Sequence, residues 1–523
     1  MIHRSPFQDI EIPDVPLHAA VMTRFADFGD RPAIIDGSSG RTLTYAQLGR
    51  DVARFAAGLA ARGFGKGEVF AICSPNLPEY GTAFLGVNRA GGVVTTMNPL
   101  YTVAEIRHQL EETGARFLLT IAPLAERCLE AAAGTAVETV FCLGAAPGTV
   151  AFEDLLGDSR SAPEVTIDPR EDLAALPYSS GTSGVPKGVM LTHRNLVAQL
   201  VQAEVALPRD AGTVGIAVLP FFHIYGMMLI LMHGVRSGAT LVSMPRFDLA
   251  QFLECIQKYR VTNAPLVPPI VLALAKHPLV DQYDLSSLRQ IGSGAAPLGA
   301  EVEAACARRL GCSVMQGFGM TEFAGASITN PEGPEVGRTG SVGRCWPGME
   351  ARIVDVATGR DLGVNERGEL WMRGPNVMRG YYRRPDATAE MLLPDGWLRT
   401  GDVACVDEEG NFFIVDRVKE LIKHNGYQVA PAELEAVLLT HPAIADAAVI
   451  PSPDDETGEV PKAFVVLKAP IDAAAILDYV AGQVAPYKKI RRIAVVDTIP
   501  KSPSGKILRR VLIEQERREV EQG

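Results

Sequence analysis

Between residues 42 and 63 the apolar positions Leu48, Val52, Phe55 and Leu59 recur at helical spacing. Gly63 or Gly65 supplies the stop, so the segment predicts an amphipathic helix. A short apolar run over 69–73 predicts a buried strand, and the rhythm then repeats. A helix is expected over 79–89, a strand over 92–97, a helix over 103–113 and a strand over 117–121. Strand and helix alternating at this pace, to about residue 340, predict a parallel sheet covered by helices.

The texture changes over 340–415. Short runs at 350–354, 369–373 and 411–415 are separated by Gly and Pro, as in a smaller antiparallel or barrel-like portion. A polar stretch, Asp416-Arg-Val-Lys-Glu420, is a candidate hinge. Beyond it a helix over 430–440, strands over 444–451 and 462–468, and a final helix over 506–515 suffice for a small α+β unit. The fold class is therefore α/β: a large N-terminal domain over 1–415, a hinge over 416–420 and a C-terminal domain over 421–523.

Composition excludes more than it identifies. Of 523 residues 47% are hydrophobic and 21% charged, which rules out disorder, collagen and a disulfide scaffold. With 50 basic against 61 acidic residues the net charge is −11, a poor starting point for binding nucleic acid through its phosphates. Eight cysteines stand apart with no CxxC pair, which fits a reducing cytosol and argues against a zinc site. The first twenty residues, with Asp9, Glu11 and Asp14, lack the basic start and apolar run of a signal peptide. The most apolar stretch, 225–235, is too short for a membrane span, so a cytoplasmic protein is expected.

The chemistry concentrates first in Leu176-Pro-Tyr-Ser-Ser-Gly-Thr-Ser-Gly-Val-Pro-Lys-Gly188. Hydroxyls, glycines and one lysine make a loop rich in hydroxyl and backbone N–H donors, suited to a polyphosphate. Its spacing is not that of a Walker loop, because Pro186 and Gly188 flank the lysine where G-K-[ST] is needed.

This loop resembles that of the acyl-adenylate-forming superfamily, which includes acyl-CoA synthetases, firefly luciferase and peptide-synthetase adenylation domains. Further segments match in the family's order: Leu219-Pro-Phe-Phe-His223, Gly292-Ser-Gly-Ala-Ala-Pro297, Gln316-Gly-Phe-Gly-Met-Thr-Glu322 and Gly368-Glu-Leu-Trp-Met-Arg-Gly-Pro375. Gly396-Trp-Leu-Arg-Thr-Gly-Asp402, Asp416-Arg-Val-Lys-Glu-Leu-Ile-Lys423 and Pro500-Lys-Ser-Pro-Ser-Gly-Lys506 follow. The likeness covers about residues 15 to 512. It leans toward the 4-coumarate–CoA ligase branch through HIYG, VPPIVLALAKHP, GYQVAPAELE and APYKKIRR.

The resemblance implies ATP, Mg2+ and coenzyme A as cofactors and a two-step reaction, adenylation of a carboxylic acid and then thioester formation. It implies that Ser179, Ser180, Gly181, Thr182, Ser183, Gly184 and Lys187 hold the phosphates, with Thr182 and Glu322 at the magnesium site. Gly294, Ala295 and Ala296 correspond to the backbone strip beside adenine, and Phe318 to the aromatic stacked on it. Gln316, Gly317, Gly319, Met320, Thr321 and Ile414 belong to the same nucleotide site. Family members often have Tyr where this chain has Phe318; the stacking is kept and the hydroxyl lost.

Asp402 corresponds to the acid that binds both ribose hydroxyls, and Arg417 to a second ribose contact. Lys506 corresponds to the lysine that reaches between carboxylate and α-phosphate. Lys419 stands at the family's hinge position, and Lys423 and Gln428 where AMP or the thioester-forming conformer is contacted. Lys488 and Lys489 are either a CoA phosphate patch or an ordinary charged face. His223 is expected beside the substrate carboxylate and thiol tunnel, and His193 as a structural residue where a helix begins. The family also implies a mobile C-terminal domain that turns on the hinge between the two steps.

For the acid itself, Tyr225, Met228, Gly292, Gly294, Gly317, Phe323 and Ala326 are candidate pocket walls. Plant coumarate ligases carry Lys where this chain has Gly292, and a Pro-Val pair where it has Gly325 and Ala326. The smaller residues imply a deeper or wider cavity with no cation for a phenol. An aryl or arylalkenoic acid is the first expectation and a medium-chain fatty acid the second; adenylation for a carrier protein is a third. The expected assembly is a monomer or homodimer.

Overall fold

The computed structural model describes residues 1–179, 186–330, 338–424, 427–454, 456–503 and 505–522, the last four as backbone only. The first predicted helix runs Tyr45–Ala61, and Thr42–Thr44 is instead a strand paired with Pro32–Asp36. Thr44 sets that boundary. Its hydroxyl accepts from the Gln47 amide at 3.2 Å while the Gln47 carboxamide oxygen accepts from the Thr44 amide at 2.9 Å. Such a capping box fixes a helix start more sharply than apolar spacing does.

Helices Glu79–Arg89 and Val103–Thr113 and strands Val69–Cys73, Val93–Met97 and Phe117–Ile121 follow the alternation read from the sequence. These strands pair in parallel. They lie in a nine-stranded sheet that also takes in Leu173–Ala175 and, antiparallel at its edge, Lys187–Thr192 and Tyr178–Ser179. A second nine-stranded sheet is parallel from Pro32–Asp36 through Thr240–Ser243, Val214–Ala217, Asn263–Leu266, Gln290–Ser293 and Ser313–Met320. Helices fill the space between the two sheets, and one apolar core joins them.

His193 opens helix His193–Ala206, with the Thr192 hydroxyl capping it. It is fully buried, and its Nδ1 accepts from the Leu17 amide at 3.1 Å. The apolar stretch after His223 becomes a short π-helix, Tyr225–Met232, packed in the core. Gly226 is required there, because a Cβ would meet the Pro220 carbonyl oxygen at 2.1 Å. No helix among the described residues is long and apolar enough to cross a membrane.

The barrel-like portion is an antiparallel sheet of five strands, His3–Arg4, Glu350–Val354, Gly368–Arg373, Leu398–Val406 and Phe412–Arg417. The C-terminal domain is separate and has its own sheet, Tyr427–Val429, Ile422–His424, Gly458–Leu467, Ile444–Asp454 and Arg492–Val495. Alternate residues of Ile444–Asp454 face two different cores. Ala447 and Val449 pack with Leu434, Leu438 and Ile476; Ala448 and Ile450 pack with Phe464, Ile499 and Leu512. Each fully buried Leu or Ile contributes about 1.5–3 kcal/mol, so each face of this sheet is covered by its own apolar layer.

The final helix runs Arg509–Gln522, not 506–515. Lys501 and Ile507 instead pair in an isolated antiparallel bridge, and Gly505 stands at φ +79°. A left-handed residue at that place keeps the helix from starting at Lys506.

Candidate active site

Strands Tyr178–Ser179 and Lys187–Thr192 pair antiparallel on either side of residues 180–185. The expected phosphate-loop residues Ser180, Gly181, Thr182, Ser183 and Gly184, and with Thr182 one of the two expected metal-site residues, lie outside the described residues. The Lys187 ammonium stands 5.0 Å from the centre of the Tyr381 ring. The Ser179 hydroxyl donates to Glu322 Oε1 at 2.9 Å, and the Tyr381 hydroxyl donates to the same oxygen at 2.7 Å. Glu322 is only 4% exposed, in the short turn Thr321–Phe323 that follows strand Ser313–Met320. Two neutral donors on one oxygen satisfy that atom in the interior and fix the carboxylate in place.

The residues expected on the nucleotide side meet where the parallel strands of the second sheet end, the usual place for a site in such folds. Gln290–Ser293 leads into Gly294, Ala295 and Ala296, with Ala295 at φ +71°, an unusual value for a residue with a side chain. Gln316 fixes this turn. Its carboxamide donates to the Leu298 carbonyl at 3.0 Å and to Glu303 at 2.7 Å, and accepts from the Leu298 amide at 2.8 Å. Its polar atoms are thus spent on the scaffold. Gly319 is needed for close approach, since a Cβ would lie 2.2 Å from the Gly325 carbonyl oxygen. Phe318 and Thr321 are buried, while Gly317 and Met320 are half-buried.

The antiparallel sheet delivers the remaining pieces. Asp402 and Arg417 are partners on adjacent strands, with Arg417 Nε 3.4 Å from Asp402 Oδ1, and Ile414 pairs with Ala404 beside them. Burial pushes the Asp402 carboxyl up to about 6, against the pull of Arg417 and Lys506. Lys506 reaches the same place from the C-terminal domain. Burial and then Arg417 push its ammonium down, while Asp402, Glu322 and Glu420 act the other way. His223 feels Lys506 as well: burial first, then that charge, push its imidazole down to about 3, so it is neutral at pH 7.

Among the expected pocket walls, Tyr225 donates to the Gly292 carbonyl at 3.4 Å and its ring lies across Gly294, where a Cβ would meet Tyr225 Cε1 at 2.9 Å. Met228 and Phe323 are fully buried, and Ala326 is nearly so. The positions expected to form one site thus converge from both domains, but not all of them do. Lys419 is exposed in the turn after strand Phe412–Arg417. Lys423 and Gln428 are exposed partners on the hairpin of Ile422–His424 and Tyr427–Val429. Lys488 is engaged by Glu433 at 2.6 Å.

Two residues of the site carried no expectation. Tyr381 closes on Glu322 from a short strand near residue 380, and only the three-dimensional pairing of Val189 with Tyr381 reveals it. Asn76 donates to the Ala217 and Leu219 carbonyls and accepts from the Phe221 amide, so it shapes the turn before His223. A signal for Asn76 does exist: it lies just past the end of the parallel strand Val69–Cys73.

Residues 22–382 match the AMP-binding enzyme family, and residues 433–506 match the AMP-binding enzyme C-terminal domain. The chain belongs to the AMP-binding enzyme family. A 4-coumarate–CoA ligase of Pinus taeda is 45% identical, the alignment covering 98% of this chain and 97% of that protein. The 4-coumarate–CoA ligase 1 of Solanum tuberosum is 44% identical over 98% and 96%. Among solved structures, the anthranilate CoA ligase AuaEII in complex with anthranoyl-AMP superposes with a TM-score of 0.90 at 27% identity, over 98% of this chain and 99% of that one. ATP-bound MatB from Rhodopseudomonas palustris superposes with a TM-score of 0.85 at 30% identity, over 96% and 99%.

Proposed function

We propose that the chain is an ATP-dependent carboxylic acid–CoA ligase, an AMP-forming acid–thiol ligase that works in two steps. In the first, a carboxylate oxygen of the acid attacks the α-phosphorus of ATP. The new P–O bond forms as the bond to pyrophosphate breaks. In the second, the CoA thiol, giving up its proton, attacks the acyl carbon and AMP leaves. The single observation that carries this reading is Lys506, brought by the C-terminal domain into the electrostatic reach of Asp402, Glu322 and His223.

Each residue then has a physical task. Lys506 neutralises the charge that builds between two anions as they join. Asp402 accepts from the ribose hydroxyls, which suit two carboxylate oxygens. Neutral His223 lies beside the reacting carboxylate without adding a competing charge. Lys187 and the loop over 179–184 hold the triphosphate, and Phe318 stacks on adenine.

Among the described residues no cluster of three or more His, Cys, Asp or Glu is arranged to hold a metal by itself. Glu322, a hard oxygen donor, would hold a magnesium ion together with Thr182 and the nucleotide's phosphates. When bound it would neutralise phosphate charge; Glu322 would orient it.

The domain boundaries, 1–415, 416–420 and 421–523, belong to the same proposal, with rotation at Lys419 between the steps. Arg417 is paired with Asp402 in the large domain and the Val418 amide donates to the Gly401 carbonyl at 2.9 Å, while Glu420 is ion-paired with Arg509 of the C-terminal domain, which leaves exposed Lys419 between two anchored ends. Lys423 and Gln428, exposed here, enter the cleft after that rotation. Eight unpaired thiols support a cytoplasmic location, and the acidic net charge supports small-molecule substrates over nucleic acid. A monomer or homodimer is sufficient for this chemistry.

The acid is aryl or arylalkenoic. The 4-coumarate–CoA ligase relatives support that class, and the open space next to Gly292, where a Cβ would meet only the Tyr225 hydroxyl at 3.7 Å, has room for a ring. The same openness favours a second reading, a medium-chain fatty acid. Pyrophosphate release and thioester formation, measured over benzoate, cinnamate, coumarate, octanoate and decanoate with and without CoA, test both. Thioester from cinnamates is expected. Octanoate or decanoate alone would transfer the assignment to the second reading. Transfer solely to a carrier protein would overturn the CoA reading.

A further inference from the structure

The segment over 376–382 is fastened on two sides. On one, the Asn376 carboxamide donates to the Phe323 carbonyl at 2.8 Å, the Met378 amide to the Glu322 carbonyl at 2.8 Å, and the Tyr381 hydroxyl to Glu322 Oε1 at 2.7 Å. On the other, the Arg379 amide donates to the Met190 carbonyl at 3.0 Å and the Tyr382 amide to the Gly188 carbonyl at 2.8 Å. The segment therefore ties the turn that carries Glu322 to the strand that carries Lys187. Asn376 is fully buried and Tyr381 is 3% exposed, so the bonds these two make to the Glu322 turn are sheltered from water.

Tyr381 is where the two sides meet. Its hydroxyl and that of Ser179 both donate to Oε1 of Glu322, and neither donates to Oε2. Two donors on one oxygen stop the carboxylate from turning about its last bond and leave the other oxygen with a set direction. The face of the same ring lies under the Lys187 ammonium at 5.0 Å, a distance at which an aromatic ring attracts a cation. One side chain thus orients both an anion and a cation that flank the phosphate loop.

We propose that Tyr381 is a positioning residue for the metal-bound triphosphate: its hydroxyl aims the Glu322 carboxylate at the metal and its ring seats Lys187. The proposal rests on the reading of Glu322 as the metal-holding residue. Groups that orient a metal's ligand change metal affinity about 10–100-fold when removed, whereas a purely structural tyrosine changes stability alone.

The test uses the full chain with Mn2+ and α,β-methylene-ATP, free Mn2+ being read by electron paramagnetic resonance. Tyr381→Phe keeps the ring and removes the hydroxyl. Mn2+ affinity is expected to fall about tenfold, while nucleotide affinity in EDTA stays within about twofold, since the seat for Lys187 is intact. Tyr381→Leu is expected to weaken the metal-free nucleotide too. Ser179→Ala, which removes the other donor to Oε1, gives a second measurement if Tyr381→Phe does not fold, with Mn2+ affinity again falling. Unchanged Mn2+ affinity in Tyr381→Phe, with Glu322→Gln weakened, would overturn the role of Tyr381 alone. Unchanged affinity in Glu322→Gln would overturn the metal reading of Glu322 and this proposal with it.

Discussion

Gly505 of the C-terminal domain lies directly against Val267 of the large domain: a Cβ added to it would stand 2.9 Å from Val267 Cγ2 and 3.1 Å from its Cβ. The glycine is at φ +79° and immediately precedes Lys506. Close backbone approach at this point sets how far the lysine enters the cleft.

Gly505→Ala is therefore expected to push the Lys506 loop outward without unfolding either domain. A shift of about 1 Å at a reacting group costs about a hundredfold in rate, so pyrophosphate release should fall by that order. Thioester formation from a supplied acyl-adenylate and CoA, which does not use this docking, should be near normal. Equal losses in both half-reactions would mean that Gly505 matters to the fold and not to docking.

Asp402 is 5% exposed, and its carboxyl is pushed up to about 6 from an ordinary 3.8, chiefly by burial. The native protein then binds this proton more tightly than the unfolded chain. The contribution is fully present below about pH 4 and is lost as pH rises through 6, so the ionised form costs about 3 kcal/mol at neutral pH. Asp402→Asn removes that cost, and half-buried Arg417 can turn to solvent. In urea unfolding at pH 7.5 the nucleotide-free variant is expected to be more stable by about 1–3 kcal/mol, while the stabilisation that ATP gives the unsubstituted protein disappears. A less stable variant would show that the charge is already compensated.

How much of this was legible in the sequence depends on distance along the chain. Helices Glu79–Arg89 and Val103–Thr113 were readable because their apolar spacing is local, and the second also has a local capping box, Thr102 with Glu105, at its start. The start of helix Tyr45–Ala61 was misplaced by three residues because a helix can continue its apolar period into the strand before it, and only the Thr44 cap separates them. Lys506, Asp402 and Glu322 lie far apart in the chain, and nothing in periodicity brings them together; the resemblance did. Tyr381 and Arg509 lie in none of the matched segments, because their meaning lies in the carboxylates they meet.

His193 shows the opposite pH behaviour to Asp402. It is buried, its Nδ1 accepts from the Leu17 amide at 3.1 Å, and burial pushes its imidazole down to about 3. Stability from the neutral ring is whole above about 6.5 and is lost as pH falls toward 3, by about 1.4 kcal/mol per pH unit. His193→Asn supplies an acceptor that does not titrate. The advantage of the unsubstituted protein over this variant is expected to shrink by about that slope between pH 6 and 4 in urea unfolding. A pH-independent difference would show that His193 is not the titrating group. Comparing the two proteins cancels the buried carboxyls, which titrate with the opposite sign.

Arg509 is ion-paired to both oxygens of Glu435, each at 2.8 Å, and to Glu420, and it donates to the Val449 carbonyl at 3.1 Å. Burial alone would push the Glu435 and Asp416 carboxyls up; Arg509 opposes it. Arg509→Met strands these acids in the interior, at a cost of about 3–5 kcal/mol. Calorimetry should show the C-terminal domain melting ahead of the large domain, and nucleotide binding to the large domain should survive. A single unshifted transition would show that Arg509 contributes little.

Gly292 and Gly294 differ in what a methyl group would meet, and this separates pocket width from pocket integrity. At Gly294 a Cβ would lie 2.9 Å from the Tyr225 ring, so Gly294→Ala must displace Tyr225, whose hydroxyl is held by the Gly292 carbonyl at 3.4 Å. kcat/KM should then fall for every acid. At Gly292 the nearest atom is the Tyr225 hydroxyl at 3.7 Å, an ordinary contact, so Gly292→Ala narrows the pocket without moving its wall. One methyl group discriminates by about 10–200-fold. Benzoate should keep its kcat/KM in Gly292→Ala while cinnamates lose within that range, because the longer acid must pass the new methyl group. If benzoate and cinnamate fall together, Gly292 does not line the acid's path, and the acid lies on another side of Tyr225.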